Sequence, residues 1–332
     1  MKRPPAAVVC VGDALIDEVR LDGRVQSFAG GGALNVAVAL SRLGVSTALL
    51  ADLGWDRPGQ WLRSYLRWEN VGLVPQSTVS ITGLAISDRT NAEPSYSFGR
   101  FTGRRAIRIG PAAEACLADA KAVVVSSFAF GDGEQTGAII EALSRASGLR
   151  VLDPNPRPAL VADVAGYARG LEQAARYADL VKLSTEDVAL LYGRSAEEVA
   201  QRYFALGVPS VVVTLGADGA AAYSARGASA TVAAARIDGE VLDTMGAGDA
   251  AIAAIVARIV ATGVPTTDTG WSDVLGFAMI AAAITCRRVG AASAVPTLTD
   301  VMGTTSVTGA PPTSPDVVTF PGDTARPGHR VT

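Results

Sequence analysis

Histidine is all but missing from this chain: its single copy, His329, sits in a segment rich in proline and glycine near the C-terminus. Ser-His, Cys-His and His-metal chemistry are thereby excluded, so any acid or base has to be a carboxylate, a lysine or a tyrosine. Cysteine is nearly as scarce. Cys10, Cys116 and Cys286 are far apart, each within or beside an apolar run and without metal-ligand spacing, which reads as three reduced, packed thiols. Charge is thin too. Only 18% of the 332 residues are charged, the net charge is -3 and no basic cluster occurs, so no nucleic-acid partner is expected. The first apolar stretch, AAVVCVG at residues 6–12, is followed at once by Asp13 and Asp17. It is read as neither a signal peptide nor a membrane span, and the expected location is cytoplasmic, with no membrane partner. A dinucleotide fingerprint is missing as well, because that stretch leads into GDALID and not into GxGxxG, which argues against a dehydrogenase.

What is present is apolar residue in quantity, 49% of the chain, enough for a large core. Around it the chain is organised on DTMGAGDA, residues 243–250, which runs directly into AIAAIVARIV. The Ala-rich run predicts a helix beginning near Asp249, and the small residues Gly246, Ala247 and Gly248 leave its first amides open to an anion such as a phosphoryl group in transfer. Asp249 at the mouth of that turn is the candidate general base; the simpler alternative is a helix cap.

Taken in order, AAVVCVG predicts a buried strand, with Asp13 and Asp17 past its carboxyl end as candidates to contact a polar ligand. Residues 18–28 alternate around Asp22-Gly23, which predicts a hairpin, and 79–108 predict a second one. Together, segments 17–28 and 79–108 are expected to form a small sheet that covers the site and excludes water. GGGALNVAVALSRLG, residues 30–44, predicts a helix entered through glycine, with Asn35 one turn in and able to face a ligand. From residue 122 onward strands and helices alternate: AVVVSSF, a helix, LRVLDPN, a helix, DLVKLST, two helices, then SVVVTLGADGAAAYS. That rhythm predicts an α/β fold, a doubly wound, mostly parallel sheet flanked by helices. In DPNPRP, extended chain is expected to point Asp153, Asn155 and Arg157 the same way. TLGADGA, residues 214–220, reads as a small-residue turn that could approach a nucleotide. Residues 1–302 are taken as one domain and 303–332, rich in Pro, Gly and Thr, as a flexible tail.

Four of these blocks, GGGALN, DPNPRP, VTLGADG and DTMGAGDA, stand in the order in which they occur in the ribokinase-like, PfkB-type carbohydrate kinases, and the chain resembles that family over about residues 6–300. The resemblance implies ATP-dependent phosphorylation of a sugar hydroxyl, with Gly246, Ala247 and Gly248 as the anion hole and Asp249 as base. It implies sugar contacts from Asp17, Gly31, Asn35, Arg100 and Arg157, and a nucleotide site lined by Lys182, Ser184, Thr214, Gly216, Asp218 and Gly219. Magnesium is expected through water on Asp187 or Glu186, and potassium at Asp243 and Gly290 in the GAASAVP loop. VKLSTED has Ser184 and Asp187 where the wider family carries Asn and Glu, the form of fructokinase-type members. Met245 and Met279 depart from the usual residues around the nucleotide. A ketohexose such as fructose is the expected substrate, with 2-keto-3-deoxygluconate, ribose and adenosine as alternatives. A homodimer through the lid sheet is expected. A non-catalytic nucleotide- or sugar-binding regulator of the same fold would need a broken catalytic loop, and Asp249 with its glycines is intact.

Overall fold

The structure, a computed structural model, describes residues 6–21, 24–74, 81–88, 95–99 and 106–304. The chain opens with β1 (Val8–Gly12), then β2 (Leu15–Leu21), β3 (Arg24–Gly30), α1 (Gly32–Arg42), β4 (Thr47–Leu50), α2 (Arg57–Trp68) and β5 (Gly72–Leu73). Next come β6 (Gly83–Asp88), β7 (Ser95–Gly99), α3 (Pro111–Asp119), β8 (Ala122–Ser126), α4 (Gly133–Arg145), β9 (Leu149–Asp153) and α5 (Val164–Ala175). The chain continues through β10 (Leu180–Ser184), α6 (Thr185–Leu191), α7 (Ala196–Ala205), β11 (Ser210–Thr214), β12 (Ala220–Ser224) and β13 (Ser229–Val232). Three helices close it: α8 (Ala247–Thr262), α9 (Asp268–Thr285) and α10 (Leu298–Met302).

The main sheet has the order β13-β12-β11-β10-β9-β8-β1-β4-β5. Its strands are parallel except at the β11–β12 and β12–β13 pairs. Because side chains alternate along a strand, Val8 and Cys10 of β1 enter one core and Val9 and Val11 the other. The first core is covered by α1, α2, α8, α9 and α10, the second by α3 to α7. The doubly wound expectation is met. Helix α8 is apolar nearly all round because it is enclosed, with Ile252, Ile255 and Val256 fully buried against α1 and α9.

A second sheet, β3-β2-β6-β7, leaves the body immediately after β1. Both of its hairpins are antiparallel, as the alternation predicts, and β2 pairs with β6 in parallel. Asp22, Gly23 and the Asn/Glu/Pro turn lie outside the described residues, as do His329 and residues 305–332 of the expected tail. Among the described residues no helix is long and apolar enough to cross a membrane.

Three details depart from the sequence reading. Helix α8 starts at Ala247, two residues earlier than expected, because Gly246 takes the left-handed conformation at its N-cap. Cys116 is exposed on α3 and not packed, while Cys10 is buried and Cys286 intermediate. Residue 298 begins a further helix, α10, started by a capping box between Thr297 and Asp300.

Gly219, at the β11–β12 turn, has φ 107°, and a Cβ there would stand 2.0 Å from the Val232 carbonyl oxygen on β13. Its glycine serves strand packing. Gly219→Ala is expected to lower folding stability by about 1–3 kcal/mol, the cost of a forced backbone conformation, measured by denaturant unfolding without nucleotide. An unchanged unfolding midpoint would show that this turn relaxes freely.

Candidate active site

Parallel strands that end together place their last residues along one edge, and here β8, β9 and β10 bring Ser126, Asp153 and Lys182 into contact. Ser126 Oγ donates to Asp153 Oδ2 at 3.1 Å, and Lys182 Nζ donates to Asp153 Oδ1 at 3.0 Å. Both members of this ion pair are buried. Burial alone would push the Lys182 ammonium down, but attraction from Asp153, Asp187 and Asp249 outweighs it and holds the group above its ordinary value. The same Nζ stands 3.4 Å from where a Cβ on Gly248 would lie, so a fixed cation borders the glycine turn.

That turn is the start of α8. Most helices here are capped by a side chain: Asp56 on α2, Asp132 on α4, Ser184 on α6 and Thr267 on α9. Helices α1 and α8 begin instead on Gly31 and Gly246 with no side-chain cap. The Gly248 and Asp249 amides take no acceptor among the described residues, and the positive end of the helix dipole adds to their pull on an anion. A Cβ at Gly246 would sit 3.0 Å from the Ala291 carbonyl oxygen, so the turn also rests against the 290–296 loop.

Asp249, the third residue of α8, is buried and accepts a 2.8 Å hydrogen bond from Asn35 Nδ2 of α1. Burial raises its pKa first and the Asp153 charge adds to this; the Asn35 hydrogen bond, Arg157 and Lys182 oppose the rise. The other amide atom of Asn35, Oδ1, is buried with no partner among the described residues, which leaves an acceptor free for a ligand hydroxyl. Asp17, on β2 between Phe28 and Ala85, keeps a partly open face although protein packs densely around its carboxyl. Desolvation pushes its pKa up to about 7; Arg157 lowers it, while Asp249 and Asp243 raise it further.

The remaining expected residues divide into those gathered here and those used elsewhere. The field of Arg157 reaches both Asp17 and Asp249. DPNPRP is not regularly extended, however: Asn155 has φ 41°, so Asp153 is buried while Arg157 is exposed. Thr214 ends β11, with only a long 3.4 Å bond to the Leu183 carbonyl, and Gly216 and Asp218 form the single helical turn that follows. Ser184 caps α6 in a reciprocal box with Asp187, whose carboxylate therefore accepts from the Ser184 amide. Met279 is buried in the core of α9. Arg100 lies outside the described residues. The pairing of Asp153 with Lys182 and Ser126 was not legible beforehand; the signal available was three polar residues that each close, or nearly close, an apolar strand.

For magnesium, Glu186 is exposed in the first turn of α6, and hydrogen bonds from its own backbone and from Ser184 and Thr185 hold it below the usual carboxylate range. It suits a hydrated cation; Asp187 is already engaged. Among the described residues no group of three or more His, Cys, Asp or Glu forms a ready cage. At the other position, Asp243 accepts from the Met245 amide at 3.1 Å and from the Gly290 amide at 3.5 Å. A buried carboxylate of this kind offers oxygen, the donor type a potassium ion takes.

The raised Asp17 pKa has a stability consequence. With a folded value near 7 and an unfolded value near 4, the native state holds a proton that the unfolded chain has lost, so this group's contribution falls as pH rises across that window. Asp17→Asn is therefore expected to raise the melting temperature more at pH 8 than at pH 5. An equal shift at both values would place Asp17 in an ordinary solvated setting.

Comparison with known proteins gives this geometry a family. The family model described as pfkB family carbohydrate kinase matches residues 6–298. A fructokinase of Rhizobium leguminosarum bv. trifolii is 31% identical over 267 residues, covering 76% of this chain and 79% of that protein. A fructokinase of Salmonella typhimurium is 30% identical over 327 residues, covering 88% and 96%. Among solved structures, that of a fructokinase with bound ATP from Xylella fastidiosa superposes with a TM-score of 0.78 at 27% identity, covering 89% of this chain and 97% of that one. The match over nearly the whole chain thus settles its kinship: the chain is a member of the pfkB family of carbohydrate kinases, phosphotransferases with a hydroxyl acceptor.

Proposed function

We propose that this sugar kinase transfers the γ-phosphoryl group of ATP to a hydroxyl of a ketohexose such as fructose, with Asp249 as general base and the Gly246-Ala247-Gly248 turn as anion hole. The observation that carries the reading is the Asn35–Asp249 contact. Asn35 fixes one carboxylate oxygen at 2.8 Å and keeps its own Oδ1 without a partner among the described residues, so a hydroxyl can lie between a base and a second acceptor. The proton of that hydroxyl passes to Asp249. Its oxygen forms the new bond to the γ-phosphorus while the bond from that phosphorus to the β–γ bridging oxygen breaks, and ADP leaves. Charge growing on the transferred group meets the free amides of α8, with Lys182 fixed beside Gly248. Magnesium bound with the nucleotide supplies neutralisation of the phosphates, and Glu186 would hold its water shell.

The neutral sugar is favoured on charge. Among the described residues Asp17 and Asp249 stand in the field of one guanidinium that reaches both, Arg157, so an anionic substrate would add a third negative group. The fructokinase relatives support the same choice.

Asp249→Asn is expected to keep the fold and nucleotide affinity while lowering kcat about a hundredfold or more, the range for removal of a general base. Retention of most of the turnover would reject Asp249 as the base.

For the substrate, the specificity constants of the native enzyme and of Arg157→Lys and Arg157→Ala are compared on fructose and 2-keto-3-deoxygluconate. The expected pattern is preference for fructose, with Lys recovering part of what Ala loses, since a point charge can still meet hydroxyls. Preference for the acid that collapses selectively in Arg157→Ala would overturn the ketohexose and leave phosphoryl transfer standing.

A further inference from the structure

Far along α1 from Asn35, the helix ends on a buried charge that takes no part in the chemistry described so far. Arg42 and Glu69 are 6% and 4% exposed, and their side chains meet fork to fork: Nε donates to Oε2 at 3.0 Å and Nη2 to Oε1 at 2.5 Å. The remaining nitrogen, Nη1, donates to two carbonyl oxygens of the 290–296 loop, those of Ser293 and Val295, each at 2.8 Å. Ser41 Oγ, on the same last turn, donates to the Glu69 carbonyl at 2.7 Å and ties α1 to the end of α2. One guanidinium therefore joins α1, α2 and the loop.

The loop it holds is the one that touches the glycine turn. The Ala291 carbonyl stands 3.0 Å from the Cβ position of Gly246, and the Gly290 amide reaches the Asp243 carboxylate. Ala292, Ala294 and Val295 are buried. At its other end α1 carries Asn35, hydrogen-bonded to Asp249. The seven residue steps from Asn35 to Arg42 make about 10 Å of helix, too stiff and short to absorb displacement at either end. The contacts close a ring: Asp249, Asn35, α1, Arg42, the loop, Ala291, Gly246 and back through α8 to Asp249.

We propose that Arg42, oriented by Glu69, is a positioning residue for phosphoryl transfer: by gripping the Ser293 and Val295 carbonyls it sets the 290–296 loop against Gly246, and so fixes the anion hole relative to Asp249. This rests on the reading of the Gly246–Gly248 turn as anion hole. Guanidinium is required because two carbonyls and a carboxylate must be met at once, which a lysine ammonium cannot do from one stem. The hole acts on charge that develops in the transition state, so a shift in its position falls on kcat and leaves sugar affinity alone.

The test uses the full chain with Arg42→Lys and with the paired substitution Arg42→Leu/Glu69→Leu. The paired variant removes both charges and so leaves no uncompensated buried ion. Melting curves, kcat and the KM of the sugar are measured for each, beside Asp249→Asn. Expected are cooperative melting in both variants, a kcat lowered about ten- to a hundredfold, as for a small misplacement near the chemistry, and a sugar KM close to native. Native kcat in either variant overturns the proposal. So does a loss confined to KM, or failure of both variants to fold, which would assign the pair to the core alone. Full turnover in Asp249→Asn bears on the base and not on Arg42, so the two readings fail separately.

Discussion

A carboxylate that is to take a proton from an alcohol has to be shielded from water and yet stay ionised, and the arrangement around Asp249 follows from that conflict. Burial and the neighbouring Asp153 both raise its pKa. Lys182 and Arg157 oppose the rise with charge, and Asn35 does so by donating to the charged form. Lys182 is held charged in the same interior first by Asp153 at 3.0 Å, with Asp187 and Asp249 adding to it. Each group is tolerable only because the others are present. That interdependence makes Asp153 and Lys182, neither of which need touch the sugar, part of what would keep the proposed base usable.

Backbone chemistry answers the complementary need, a place for negative charge. A helix start that is capped by its own Ser, Thr or Asp has spent its amides on itself, as α6 and α9 have. Helices α1 and α8 begin on glycine, and the amides of α8 stay open beside the Lys182 ammonium. The second sheet follows directly on β1 and carries Asp17 on β2.

Much of this was legible in the amino-acid sequence, for local reasons. Valine-rich runs of five residues bounded by turns specify buried parallel strands, and β1, β8 and β11 are such runs. Alternation around a turn specified both lid hairpins, and small residues ahead of an Ala-rich run specified the open start of α8. These signals are carried by neighbours in sequence, so propensity and pattern suffice to read them. Two of the departures from local reading come down to a single backbone angle. Asn155 at φ 41° breaks the extended path of DPNPRP, and Gly246 at φ 79° starts α8 two residues ahead of the expected position.

The sequence by itself thus determined the element types, the order of the α/β units, and the position of the acid that sits on a glycine-started helix. Only the tertiary structure decided which charges meet. Asp153 and Lys182 are 29 residues apart, Asn35 and Asp249 are 214 apart, and Arg42 and Ser293 are 251 apart. Nothing in the neighbourhood of any one of them encodes its partner. Their meeting is set by strand order, which places the carboxyl ends of β8, β9 and β10 side by side, and by the packing of α1 against α8. The physical reason is one of range: propensity acts over a few residues, whereas a buried charge is stable only where the whole fold has delivered its counter-charge.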